Sequence, residues 1–372
     1  MKDFLPFTRP TVDEETIAAV AAVLRSGQLA SGPQVLAFET ALAGYLGGAR
    51  SVRALTSATE GLEIALLGLG VGPGDEVIVP AMSFAASANV IVRAGATPVF
   101  VDVELRSRNL DVTQVERAIT PRTKAIMPVH FSGLAVDMDA LLAIAERHRL
   151  RLVEDAAHAI GTRCRGRAIG SFGDVAVFSF HPNKNMTSIE GGAIATADAA
   201  LVERIERHRF HGIRRNADGE IDVEFAGAKS NLSDVAAAVG LGQLRRLDEF
   251  NARRRFLVAR YFERLADFDR VVLPARGDEG HSWHMFTVLI DFAARGTTRP
   301  EFQRAMATRG IGIGVHYPCI PGLSFYRHLG FRAEDFPNAA RIGRETVTLP
   351  LFPAMRDEDV DRVVAALRAE LD

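Results

Sequence analysis

Apolar residues recur along the chain at two intervals, and the switch between them marks the elements. Ile17, Val20 and Leu24 lie three or four positions apart, as on one helix face, until Gly27 offers a stop. Thr11 and Glu14 have the spacing of a capping box, which places the helix start there. Val35, Phe38, Leu42 and Leu46 repeat the pattern and predict a second helix. Short strand-like runs then alternate with helical stretches: SVRAL at 51–55, VIVP at 77–80, PVFVDV at 98–103, AIMPVH at 125–130, LRLVED at 150–155 and DVAVFSF at 174–180. Turn signals such as GPGDE at 72–76 and TPRT at 120–123 separate them.

This is the βαβ rhythm of a mainly parallel sheet covered on both faces. After about residue 235 the pattern becomes a long helical stretch through Glu263, and from about residue 283 strands and helices mix without the earlier order. The expected architecture is a large α/β domain over residues 1–250, its sheet flanked by helices, followed by a smaller α+β domain over 251–372.

With 372 residues, 48% of them hydrophobic, the chain is long enough to bury the cores of two such units. Its 44 basic and 46 acidic residues leave a net charge of -2 spread along the chain, so no basic field is available for nucleic acid or an acidic membrane. Cys164 and Cys319 are too few for a disulfide framework, a four-cysteine zinc site or an iron–sulfur cluster. MKDFLPFTRP lacks the apolar run of a signal peptide, and no stretch approaches a membrane span, so a soluble cytoplasmic protein is expected.

In open α/β sheets ligands gather past the carboxyl ends of strands, and several reactive side chains sit there. Lys184 follows DVAVFSF in a loop ending in two glycines; a partly desolvated site would free its amine as a nucleophile, and a solvated loop lysine is the plain alternative. Asp155 ends LRLVED, where a carboxylate can hold a heterocyclic nitrogen protonated or simply join a surface ion pair. Ser57, Ala58 and Thr59 open a helix whose apolar face is Leu62, Ala65, Leu66 and Leu69, a start that suits a phosphate monoester as well as plain N-capping. Ser179 can add a hydroxyl to the same phosphate. Phe84 is placed to stack on a ring or to pack in the core, and His158 lies one helical turn beyond Asp155.

Taken in order, FLPFTRP, SGP (31–33), GPGDEVIVP (72–80), GATPVFVDV (95–103), EDAAHAIGT (154–162), FSFHPNKN (178–185), EGGAIAT (190–196) and HYP (316–318) resemble the DegT/DnrJ/EryC1/StrS sugar aminotransferases. These are fold-type I pyridoxal-phosphate enzymes, and the resemblance spans essentially the whole chain. It implies that Lys184 carries pyridoxal 5'-phosphate as a Schiff base and that Asp155 pairs with the ring nitrogen. It places Ser57, Thr59 and Ser179 around the phosphate and stacks Phe84 on the ring. Asn231, in GAKSNLSD (227–234), would reach the coenzyme phosphate of a partner subunit, which implies a homodimer with shared active sites. Glutamate is the implied amino donor, leaving as 2-oxoglutarate, and a keto-sugar on a nucleotide the acceptor.

Many members have glutamine where His158 stands, and asparagine–tyrosine–arginine where Lys229, Ser230 and Asn231 stand. The histidine and asparagine resemble the branch that makes 4-amino-4-deoxy-L-arabinose on a uridine diphosphate carrier. His316 and Tyr317, which end the strand-like run GIGIGVHYP, resemble a motif lining the substrate cleft; core or turn packing is the alternative. Arg9, and His211 and Arg214 in the polar excursion 209–230, are candidates to meet a diphosphate. Two other readings stay open at this point: a dehydratase of the same family, which usually shows histidine in place of the lysine, and a non-catalytic regulator, which would have lost the lysine or the aspartate.

Overall fold

Alternate residues of the apolar runs pack to opposite sides of one sheet. Val175 and Val177 enter one core cluster while Ala176 and Phe178 enter another, and Val77 and Val79 part from Ile78 in the same way. Strands buried on both faces need helices on both faces. Helices Ala58–Gly68, Ala86–Arg93 and Ala199–Arg209 cover one side, and Pro33–Tyr45, Met138–His148 and Asp234–Arg245 cover the other. The computed structural model describes residues 4–372.

The sheet has seven strands: β1 (Ser51–Leu55), β2 (Glu76–Pro80), β3 (Thr97–Val101), β4 (Thr123–Ile126), β5 (Arg151–Asp155), β6 (Val175–Ser179) and β7 (Gly192–Thr196). Their spatial order is β1-β7-β6-β5-β4-β2-β3. All pairs are parallel except those of β7, which runs antiparallel to both β1 and β6. The carboxyl ends of β1, β2, β5 and β6 therefore point to one edge, where β7 begins.

A third core, built on Tyr261, Phe286, Phe302, Val347 and Leu367, belongs to the C-terminal part. It packs the antiparallel pair β8 (Phe286–Leu289) and β9 (Thr346–Leu349) against helices Leu247–Arg264, Arg299–Thr308 and Asp357–Leu371. Leu5 joins this core and bridges to Ile311, so the N-terminal segment packs beside the C-terminal end.

Three local expectations need correction. Asp13, not Thr11, caps the first helix, accepting from the Thr16 N–H at 2.8 Å, and the helix ends at Gly27 with φ 74°. The stretch after residue 235 is two helices, Asp234–Arg245 and Leu247–Arg264, joined through Arg246. GIGIGVHYP forms no regular strand: it makes two isolated bridges, Ile311 to Leu5 and Gly314 to Thr348, and a Cβ on Gly314 would lie 2.7 Å from the His316 ring. That glycine lets the chain fold closely over His316 before it turns toward the sheet edge. The excursion 209–230 contains a hairpin, Ile213–Arg215 with Ile221–Val223. Among the described residues, no helix is long and apolar enough to cross a membrane, and no group of three or more His, Cys, Asp or Glu is placed to hold a metal ion.

Candidate active site

At that edge lies a cleft of about 310 Å³, and ten of the residues singled out from the sequence line it: Ser57, Ala58, Thr59, Phe84, Asp155, His158, Ser179, Lys184, His316 and Tyr317. Each arrives for a local reason. Asp155 is the last residue of β5 and Ser179 the last of β6. Lys184 sits in the turn beyond β6, its N–H donating to the His181 carbonyl at 2.9 Å. The helix Ala58–Gly68 begins directly after β1, with Ser57 as its N-cap.

Burial sets the charges. The Lys184 ammonium is pushed down to about 8 by desolvation, and the nearby Asp155 carboxylate opposes that shift. Desolvation raises Asp155, while hydrogen bonds from Ser87 and the Ala157 N–H and the charge of Lys184 pull it back. The Ser87 hydroxyl donates to Asp155 Oδ2 at 2.8 Å and the Ala157 N–H to Oδ1 at 3.2 Å.

On the side of the C-terminal part, the Ser132 N–H donates to His158 Nδ1 at 3.3 Å. The neutral ring then carries its proton on Nε2, which lies 3.3 Å from the Tyr317 hydroxyl. Burial holds His158 well below its usual value and Tyr317 above its own, so imidazole and phenol both stay uncharged. His316 pairs through Nδ1 with Thr348 Oγ1 at 2.7 Å and is pushed down to about 4 by burial. Phe84 is 57% exposed and its ring centroid lies 5.7 Å from that of Tyr317, which leaves a face open to the cleft.

At the helix start the Ser57 hydroxyl accepts from the Glu60 N–H at 3.1 Å, so N-capping is realised. The Ala58 and Thr59 N–H groups, in the first turn, have no intrahelical acceptor and remain available to an anion. Packing is tight behind them, for a Cβ on Gly192 would lie 2.5 Å from the Ala58 nitrogen. The N-cap therefore leaves room for the phosphate reading of this segment.

Asn231, Arg214 and Arg9 do not line this chain's cleft. Asn231 is bridged to Leu55, two residues before the helix cap, and accepts from Lys229 Nζ at 2.9 Å. Arg214 pairs with Asp222 across the exposed hairpin at 3.1 Å, and Arg9 is exposed. The sequence reading passed over Ser83, Ser87, His181, Asn183 and Glu190, which also line the cleft. The spacing of Ser83 and Ser87, one helical turn apart just after β2, was a usable signal. His284, whose ring lies 4.5 Å from that of His158, left none, because it comes from the far end of the chain.

A buried amine, a carboxylate and a helix start with free N–H groups, gathered at the carboxyl edge of this sheet, are the groups that a fold-type I pyridoxal-phosphate enzyme requires. The chain belongs to the DegT/DnrJ/EryC1/StrS aminotransferase family, whose model matches residues 10–368. It is 40% identical over 376 residues to the spore coat polysaccharide biosynthesis protein SpsC of Bacillus subtilis, covering 98% of this chain and 96% of that one. The solved structure of the putative sugar aminotransferase Spr1654 from Streptococcus pneumoniae, in its PMP-form, is similar with a TM-score of 0.91 and 34% identity over 98% of this chain and 97% of that one. Spr1654 is also solved in a PLP-form. Helicobacter pylori PseC, an aminotransferase involved in the biosynthesis of pseudoaminic acid, gives a TM-score of 0.92 at 27% identity over 99% of each chain. The cofactor of this enzyme is pyridoxal 5'-phosphate.

Proposed function

We propose that the enzyme moves an amino group from glutamate to a keto-sugar carried on a nucleotide, a UDP-4-keto-pentose or a related 4-keto sugar, as a cytoplasmic homodimer. The observation that carries the aminotransferase chemistry is the buried Lys184 amine in one cleft with Asp155. The sugar is supported by the relatives, named as a sugar aminotransferase and as a polysaccharide biosynthesis protein.

Bound in the cleft, pyridoxal phosphate supplies an aldehyde for amines and a protonated ring that takes up the electron pair of a broken C–H bond. Lys184 would tether it and, once released, is the base that takes the proton from the donor's α-carbon and delivers it to the coenzyme. A pKa near 8 suits both tasks, since the amine is partly neutral at physiological pH yet basic enough to carry a proton. The Asp155 carboxylate would accept from the ring N–H and so keep that nitrogen protonated. The Ala58 and Thr59 N–H groups and the hydroxyls of Ser57, Thr59 and Ser179 bind the phosphate, and Phe84 covers one ring face.

His158 steadies the Tyr317 hydroxyl by donating to it, which leaves the phenolic proton free to point into the cleft at an oxygen of substrate or coenzyme. His316 shares that wall, and Arg9 and Arg214 are candidates for the diphosphate. For the dimer, exposed apolar side chains support a second copy: Ile189 beside the cleft, Phe210, and Ile221 and Val223 on the hairpin. Asn231 would then serve the partner's phosphate.

The test is a half-reaction. The pyridoxamine form of the enzyme is mixed with a panel of nucleotide-linked keto-sugars, and the visible band of the lysine-bound coenzyme is followed. Rapid return of the band with one 4-keto sugar is expected; no return with any nucleotide-linked sugar would refute the acceptor class.

A further inference from the structure

Asp155 must stay ionised in a place where burial favours its neutral form. Its two oxygens are held differently. The Ala157 N–H, a backbone donor fixed by the turn after β5, reaches Oδ1 at 3.2 Å. Oδ2 depends on a side chain, the Ser87 hydroxyl, at 2.8 Å, and behind it Ser83 Oγ lies 2.9 Å from Ser87 Oγ. Ser83 and Ser87 are 2% and 1% exposed, so water does not substitute for either.

The order of protons along this line follows from valence. An ionised carboxylate only accepts, so the Ser87 proton is committed to Oδ2. The Ser87 oxygen is then free to accept, and Ser83 is the donor. A neutral Asp155 protonated on Oδ2 would reverse the line. We propose that Ser87, backed by Ser83, is a positioning residue: the two hydroxyls form a one-way relay that keeps Asp155 ionised and turned to the coenzyme ring nitrogen. This rests on the reading of Asp155 as the ring-nitrogen partner.

The other groups facing Asp155 come from three further elements. Lys184 lies beyond β6, His130 beyond β4, and Tyr317 on the wall from the C-terminal part. Lys184 is tethered to the coenzyme for part of the cycle and then offers no ammonium, which leaves the relay as the side-chain hydrogen bond to Asp155 that persists.

Ser87→Ala and Ser87→Thr are compared with wild type as holoenzymes. Ser87→Ala is expected to move the acid limb of kcat and the pH midpoint of the coenzyme band upward by about one unit, the scale of a hydrogen bond to a charged acceptor. Coenzyme should be lost about ten-fold faster on dialysis. Ser87→Thr keeps a hydroxyl and should restore all three, and Ser83→Ala should shift them in the same direction by less. Wild-type midpoint and coenzyme retention in Ser87→Ala, or a threonine variant no better than alanine, would overturn the relay. Should Asp155→Asn keep full turnover and coenzyme, the fault lies instead with the role given to Asp155.

Discussion

A lysine in water holds its proton to a pH of about 10; Lys184 releases it near 8 because its ammonium is buried beside a single opposing carboxylate. Lys184→Ala is expected to lower the single-turnover rate with glutamate by about 10²- to 10⁴-fold, the range for a lost proton-transfer group. Unchanged turnover would end its assignment. Only the neutral amine attacks an aldehyde, so coenzyme capture by the coenzyme-free protein should accelerate as pH rises to about 8 and level off above it. Arg108 presents the opposite case. It is 1% exposed, and none of its guanidinium nitrogens has a hydrogen-bond partner among the described residues. An unpaired buried charge is costly, and Arg108→Met should leave stability unchanged or raise it by about 1 kcal/mol. A fall in the urea midpoint would show that the guanidinium has a partner in solution.

At the scale of elements, the helix starts show how local and distant chemistry divide. Asp13 and Ser57 cap their own helices with their own side chains, as the sequence allows. Helix Pro33–Tyr45 has glycine at its cap position, and Asp234 takes over: its Oδ1 accepts from the N–H groups of Gly32 at 2.7 Å and Val35 at 3.2 Å. A Cβ on residue 32 would lie 2.4 Å from Asp234 Oδ2, so glycine is what admits the distant cap. Asp234→Ala would strand these donors and that of Gln34, which Oδ2 accepts at 3.3 Å, and should cost about 1–3 kcal/mol, with Asp234→Asn costing less. Chemical denaturation of the two variants measures it, and equal losses would argue against the cap. The strands were legible because buried parallel strands are nearly continuous apolar runs. The segment through His316 was not, since glycine alternates with isoleucine and valine there as it would in a strand while only two isolated bridges form among the described residues.

Across the whole molecule, four histidines are buried without charge. His281 and His316 are pushed down to about 4, and His158 and His284 lie well below their usual value, desolvation being the main cause for all four. An unfolded chain protonates them near 6.5. As pH falls below that value the unfolded state binds more protons than the native one, and the stability present above 6.5 is lost toward 4. The melting temperature of the coenzyme-free protein should therefore drop steeply between pH 7 and 5; a flat profile would mean that these rings are solvated. The order of apolar runs and the reactive residues past their ends were enough to establish the α/β class and to single out Lys184 and Asp155. Both depend on local periodicity and on positions at strand ends, which the chain carries in linear form. What closes the cleft was decided only in three dimensions. Tyr317 meets His158 across 159 positions, Asp234 reaches a helix 200 positions away, and the backbone N–H of Ser132 selects the tautomer of His158. Such contacts arise when separately formed layers pack, and no periodicity along the chain records which side chains will then face each other.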